Sequence, residues 1–138
     1  MRYLGTFLGA MAIASVSFSA FAEEQCDPEN GIRLTGTDDA PWRVQVLLKP
    51  KDIPLNAPFD AVVILCSQPE MLPSQVTVDA TMPAHKHGMN YDPEVTRVDG
   101  HRYEVKNLVF HMPGTWRLEV TAYEGDKPHR FTHEVPIQ

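Results

Sequence analysis

The strongest constraint on this chain is a period-two alternation that recurs along it and is broken by turn residues every ten or so positions. Trp42, Val44, Val46 and Leu48 alternate with Arg43 and Gln45, and Val76, Val78, Ala80 and Met82 alternate with Gln75, Thr77, Asp79 and Thr81. Trp116, Leu118, Val120 and Ala122 alternate with Arg117, Glu119 and Thr121, and Phe131, His133, Val135 and Ile137 give the face of a final strand. A strand sends successive side chains to opposite faces, so each run reads as a half-buried strand with one face toward a core. Phe59 to Cys66 is almost continuously apolar, as a central strand should be. Beyond Ala22 no stretch sustains the apolar period of a helix.

The breaks carry their own chemistry. Pro50, Pro54 and Pro58 punctuate one connection, and Pro69 and Pro73 another. Asp99-Gly100, between Val95–Val98 and Tyr103–Val105, predicts a tight hairpin whose two central residues both take positive φ. Leu108 and Phe110 resume the apolar face one residue out of step with Tyr103 and Val105, which calls for a bulge near Asn107. Met112-Pro113-Gly114 and Glu124-Gly125-Asp126-Lys127 make the remaining turns. About seven strands in this rhythm predict a single all-β, immunoglobulin-like antiparallel β-sandwich over residues 41–138. The polar, turn-rich residues 23–40 read as an irregular N-terminal lead-in. The antibody-type disulfide with its packed tryptophan is not evident, so "immunoglobulin-like" describes architecture alone.

The chain begins Met1-Arg2, runs almost without charge to Ala22, and ends that run in Ala20-Phe21-Ala22 before Glu23-Glu24. A basic start, an apolar middle and a small-residue end predict a signal peptide over residues 1–22, removed on export, with no permanent membrane anchor. Cleavage would leave 116 residues, enough for one domain, carrying 11 basic and 18 acidic residues for a net charge of −7. That balance argues against nucleic acid and anionic membrane surfaces as partners. Export predicts a periplasmic or secreted protein in an oxidising compartment. There Cys26 and Cys66 are expected to form a structural disulfide; thiolate metal ligands are the alternative, which no C-x-x-C spacing supports.

Residues 79–91 are too polar and too broken to be core, yet hold His85, His87, Met82 and Met89 with a proline and a glycine. His85 and His87 stand two apart, so in an extended segment their rings project to one side, and Gly88 lets the backbone fold tightly enough for both to converge. His111 and Met112 follow in a second turn. Thioether sulfur suits Cu(I), and imidazole accepts copper in either oxidation state, so a His/Met set in an exported protein points to copper, Cu(I) or Cu(II), before zinc. The expected ligands are His85 and His87, with Met89 and His111 as secondary ones. Met82 has the inward parity of its strand and reads as core. His133 lies on an apolar face, whereas His101 and His129 sit beside turns and are expected to be solvated.

With these residues laid out, the chain resembles the YtkA-like domain family, which includes the periplasmic part of the FixH proteins. The resemblance rests on Met82-Pro83-Ala84-His85-Lys86-His87-Gly88, the family's Met-Pro-x-His-x-His-Gly. It rests also on Leu108 to Trp116, like its apolar strand, Met-Pro-Gly turn and tryptophan, and it covers about residues 40–123. It implies an exported β-sandwich and, for some relatives, copper handling or cytochrome oxidase maturation, with His85 and His87 carried over by position. This chain departs from FixH in having a removable signal in place of a retained anchor.

The expected function is therefore an exported metal-binding protein, a copper carrier or resistance factor, whose partners are the ion and a periplasmic donor or acceptor such as an oxidase maturation factor. The alternative is a metal-free protein–protein interaction module, with Pro83, Tyr91 and Pro93 stiffening a recognition surface. Catalysis is not expected: there is no G-x-S-x-G elbow, and no carboxylate pair stands out.

Overall fold

The computed structural model describes residues 26–138; the segment read as a signal peptide, residues 1–22, lies outside the described residues, as do residues 23–25. Among the described residues ten strands are formed: β1 (Ile32–Arg33), β2 (Thr35–Gly36), β3 (Arg43–Lys49), β4 (Pro58–Cys66), β5 (Gln75–Met82), β6 (His87–Gly88), β7 (Glu94–Arg97), β8 (Arg102–Val109), β9 (Gly114–Glu124) and β10 (Lys127–Ile137). They form two five-stranded sheets, ordered β1-β3-β4-β8-β7 and β2-β10-β9-β5-β6, with antiparallel pairing between neighbouring strands. The chain is an all-β antiparallel sandwich. Seven of the strands have four residues or more and coincide with the runs read from alternation. The three short ones add an edge to each sheet from within residues 23–40 and one rung beside the histidines.

The inward residues of both sheets make one core. Val44, Val46, Ala61, Val63, Val105 and Leu108 face Val78, Ala80, Met82, Trp116, Leu118, Val120 and Phe131, all buried. The continuous apolar run of β4 has a second cause besides its central place. Its outward residues Val62, Ile64 and Cys66 form a smaller cluster covered by Leu47 and Cys26. The Cys26–Cys66 disulfide, with Cα atoms 5.9 Å apart, pins the lead-in onto that outer face.

The same cover explains why Gln45, expected outside with Arg43, is buried. Its amide donates to the Asp27 carboxylate, which also meets Arg33 at 2.9 Å and Arg43 at 3.8 Å. The hydrogen bond from Arg33, with the charge of Arg43 behind it, holds the Asp27 carboxyl below the usual carboxylate range. A Cβ at Gly31 would meet the end of the Gln45 side chain and come within 3.0 Å of Pro28 O, so a side chain there would have to displace that amide.

The bulge lies at the expected place. Between Phe59↔Leu108 and Ala61↔Val105 one residue of β4 opposes two of β8, and Asn107 takes φ +65°. The Asp-Gly hairpin differs in kind. β7 and β8 are joined at Asp99-Gly100, but neither residue has positive φ. Instead the Asp99 carboxylate accepts the backbone N–H groups of His101 and Arg102 at 3.2 and 3.1 Å, so a side chain organises a wider loop.

At that same end Lys127 donates to Asp39 at 2.8 Å, and this bond, helped by Thr37, pushes the Asp39 carboxyl down to about 2. A depressed folded-state pKa contributes stability that is fully present above the unfolded value and lost as pH falls through the folded one. Asp39→Asn should therefore melt slightly lower than the parent at pH 6, and the two melting curves should converge near pH 2. A difference that persists unchanged at pH 2 would rule out the ion pair as its source.

Candidate metal centre

β5 ends at Met82, and the chain returns as β6 after a four-residue connection, Pro83 to Lys86. His85 N–H donates to Met82 O at 3.1 Å, and Lys86 adopts φ +55°, closing the turn. The tight fold thus comes from Lys86 and not from Gly88, whose φ is not positive. His87 pairs directly opposite Met82. Cross-strand partners share a face, and Met82 is buried, so His87 is turned toward the open end of the core and is half-buried. His85, in the turn, stays exposed.

The parity of His111, opposite to that of the buried Phe110, would face it outward on a continuing strand. His111 lies beyond the end of β8, where parity no longer governs, and its half-buried ring turns in over Trp116. The imidazoles form a row: His85 to His87 is 5.8 Å between ring centres, and His87 to His111 is 5.2 Å. Beneath them Trp116 meets His87 edge-on at 5.9 Å and His111 at 5.3 Å. Trp116 stacks on Phe110 at 4.7 Å, and its indole N–H donates to Met112 O at 3.0 Å. Gly114, at φ +129°, leaves room for the Met82 methyl, which would stand 2.7 Å from a Cβ there. The two segments singled out in the sequence, around His85–His87 and around His111–Trp116, therefore meet at one end of the sandwich.

The row has the makings of a metal site in pairs. Two imidazoles bound to one tetrahedral ion, at about 2.0 Å per nitrogen, have ring centres roughly 5 Å apart. Both neighbouring pairs are near that spacing. His111 Nδ1 is buried without a hydrogen-bond partner, a donor position left to be filled. As they stand, though, no three His, Cys, Asp or Glu side chains among the described residues are gathered closely enough to hold an ion together. Met89 N–H donates to Ala80 O at 3.2 Å, and its half-buried side chain packs against the core, as does that of Met112. Met82 is core, as its parity required. The cysteines are paired with each other.

The other histidines lie elsewhere. His129, expected in solvent, is buried: it packs edge-on to Trp42 at 5.7 Å and meets Glu124 at 3.2 Å. The signal was present, since His129 shares the parity of Phe131 and Val135. His101, also expected in solvent, is half-buried beside Asp99, with its Nε2 buried and unpartnered. His133 is half-buried on the inner face of β10. Trp116, read at first only as a core residue, is the floor of the row.

Fold and site together define a two-sheet β-sandwich with a histidine-lined end. No protein-family model matches the chain, and no curated protein matches it. The crystal structure of a DUF4426 family protein from Pseudomonas aeruginosa PAO1 is similar to it, with a TM-score of 0.51 and 14% sequence identity over 75% of this chain and 94% of that one. At that identity the likeness shows the shared sandwich fold alone. Among the described residues, no helix is long and apolar enough to cross a membrane.

Proposed function

We propose that this is an exported copper-binding protein, a carrier that takes the ion at the imidazole row and passes it on. His85 and His87 are the primary ligands in this reading, with Met89 and His111 completing the set. One observation carries it: three histidines remote or separated in sequence stand in a row at one end of a rigid sandwich, with ring centres 5.8 and 5.2 Å apart. The exposed position of His85 gives an arriving ion its first contact, and a site only partly converged suits release better than storage. The likeness of Met82–Gly88 and Leu108–Trp116 to the motifs of YtkA-like domains, some of which handle copper, is a further support for this reading. The disulfide suits export.

The test is titration with Cu(I) and Cu(II) against a competing chelator. His87→Ala, which removes the central ring from both pairs, should weaken binding more than His85→Ala or His111→Ala. The double variant His85→Ala/His87→Ala should bind about a hundredfold more weakly, two lost ligands at about 1.4 kcal/mol each compounding to two factors of ten. Parent-like affinity in the double variant would end the proposal.

A second reading, a metal-free recognition surface, is favoured by Tyr91. It is 64% exposed beside a hollow of about 450 Å³ lined by Asn56, Pro58, Asp92, Asn107 and Val109. Tyr91→Ala should leave copper affinity unchanged on the first reading and abolish partner capture on the second.

A further inference from the structure

We infer that β5 is a self-pairing edge, through which two copies of the chain join into one continuous sheet. On one side β5 is paired with β9 from Gln75 to Thr81, whereas on the other β6 covers only Thr81 and Met82. The bond from Met89 N–H to Ala80 O shows that the even-numbered residues of β5 turn their peptide groups away from β9. The N–H of Ala80 is already taken by the Asp79 carboxylate at 2.7 Å. Among the described residues this leaves the outward N–H and C=O groups of Val76 and Val78 without a partner. An unpaired row of this kind is a template for another strand.

The occupant that fits is a second copy, because the edge is complementary to itself. Laid antiparallel about Thr77, Val76 of each copy stands opposite Val78 of the other, and both residues present their peptide groups. Each such pair exchanges two main-chain hydrogen bonds. On the solvent face Thr77 meets Thr77, and Gln75 meets Asp79, so an amide donor faces a carboxylate whose other oxygen is held on Ala80. No like charges are opposed. On the inner face the two valines of each copy continue the core across the join. Two other open edges are blunted in ways that β5 is not: β10 carries Pro128 and Pro136, and β7 has four residues that include Glu94 and Arg97. Between Gln75 and Ala80, β5 has no proline, lysine or arginine.

The experiment is sedimentation velocity of the disulfide-intact chain from micromolar to millimolar concentration, with amide exchange measured at both ends of the series. A monomer–dimer equilibrium is expected, with the Val76 and Val78 amides exchanging freely when dilute and protected when concentrated. Thr77→Lys, a change on the outer, half-buried face of β5 that opposes two ammonium groups, should weaken the dimer about tenfold. Val78→Pro, which deletes an outward N–H, should weaken it further. A monomer at every concentration overturns the inference, as it must if the edge serves an extended segment of another protein. So does a dimer that Thr77→Lys leaves intact while both valine amides still exchange freely, since it would use a different face.

Discussion

Trp116→Ala is expected to destabilise the sandwich by about 3–5 kcal/mol, the range for emptying a fully buried indole from a core that cannot close over the void. The side chain is wholly buried, is stacked nearly parallel on Phe110 with 10° between the rings, and donates its N–H to Met112 O. A net stability of 5–15 kcal/mol is usual for a domain, so the loss removes a large part of the whole. Trp116→Phe keeps most of the apolar volume but leaves the Met112 carbonyl without its donor, and should cost about 1–3 kcal/mol. Because His87 and His111 rest edge-on against the indole, the imidazole signals of both should move in the Phe variant, while those of His129 should not. Equilibrium urea unfolding and histidine NMR check the two halves separately. If both variants unfold within about 1 kcal/mol of the parent, Trp116 is not the keystone of this end.

Much of the scaffold was legible because strand parity is a local rule. Val76, Val78, Ala80 and Met82 declared an inner face before any partner was known, and the slip between Val105 and Leu108 announced the bulge at Asn107. What failed was decided by contacts remote in sequence. Gln45 obeyed the outward parity of its strand, yet is buried because the Cys26 segment folds back over that face. His129 was assigned to solvent by its nearness to a turn, although its parity was inward and Trp42 covers it from the other sheet. At the site, the spacing of His85 and His87 assumed an extended run, whereas their nearness comes from the turn closed at Lys86. The arrival of His111 beside them was not legible either, because it depends on how the connection from β8 to β9 turns over Trp116. The Asp-Gly turn was placed correctly and its geometry misjudged, since a side-chain bond to two amides replaced the tight backbone turn.

The second large effect is at the opposite end of β4. Replacing both Cys26 and Cys66 with alanine should lower stability by about 4 kcal/mol, the chain-entropy value for a cross-link spanning 40 residues. Two other forces hold the lead-in on its sheet, and their sizes decide which dominates. The ion pairs of Asp27 with Arg33 and Arg43 are substantially exposed, and solvent screens pairs of that kind, so they are the weakest of the three. The hydrogen bond to the buried Gln45 amide adds about 1–3 kcal/mol, chiefly as the penalty of leaving that amide unpaired. Asp27→Ala should therefore destabilise less than loss of the disulfide. In the double alanine variant the N-terminal segment should lift away from Val62 and Ile64, with faster amide exchange in β1 and on the outer side of β3. The imidazole row, beyond the other end of β4 near Pro58, should keep its geometry, so copper titration of the variant should match the parent under conditions where both are folded. A stability loss below about 1 kcal/mol would mean that the polar clamp alone holds the lead-in. A simultaneous loss of copper binding would mean that the two ends of the sandwich are not independent.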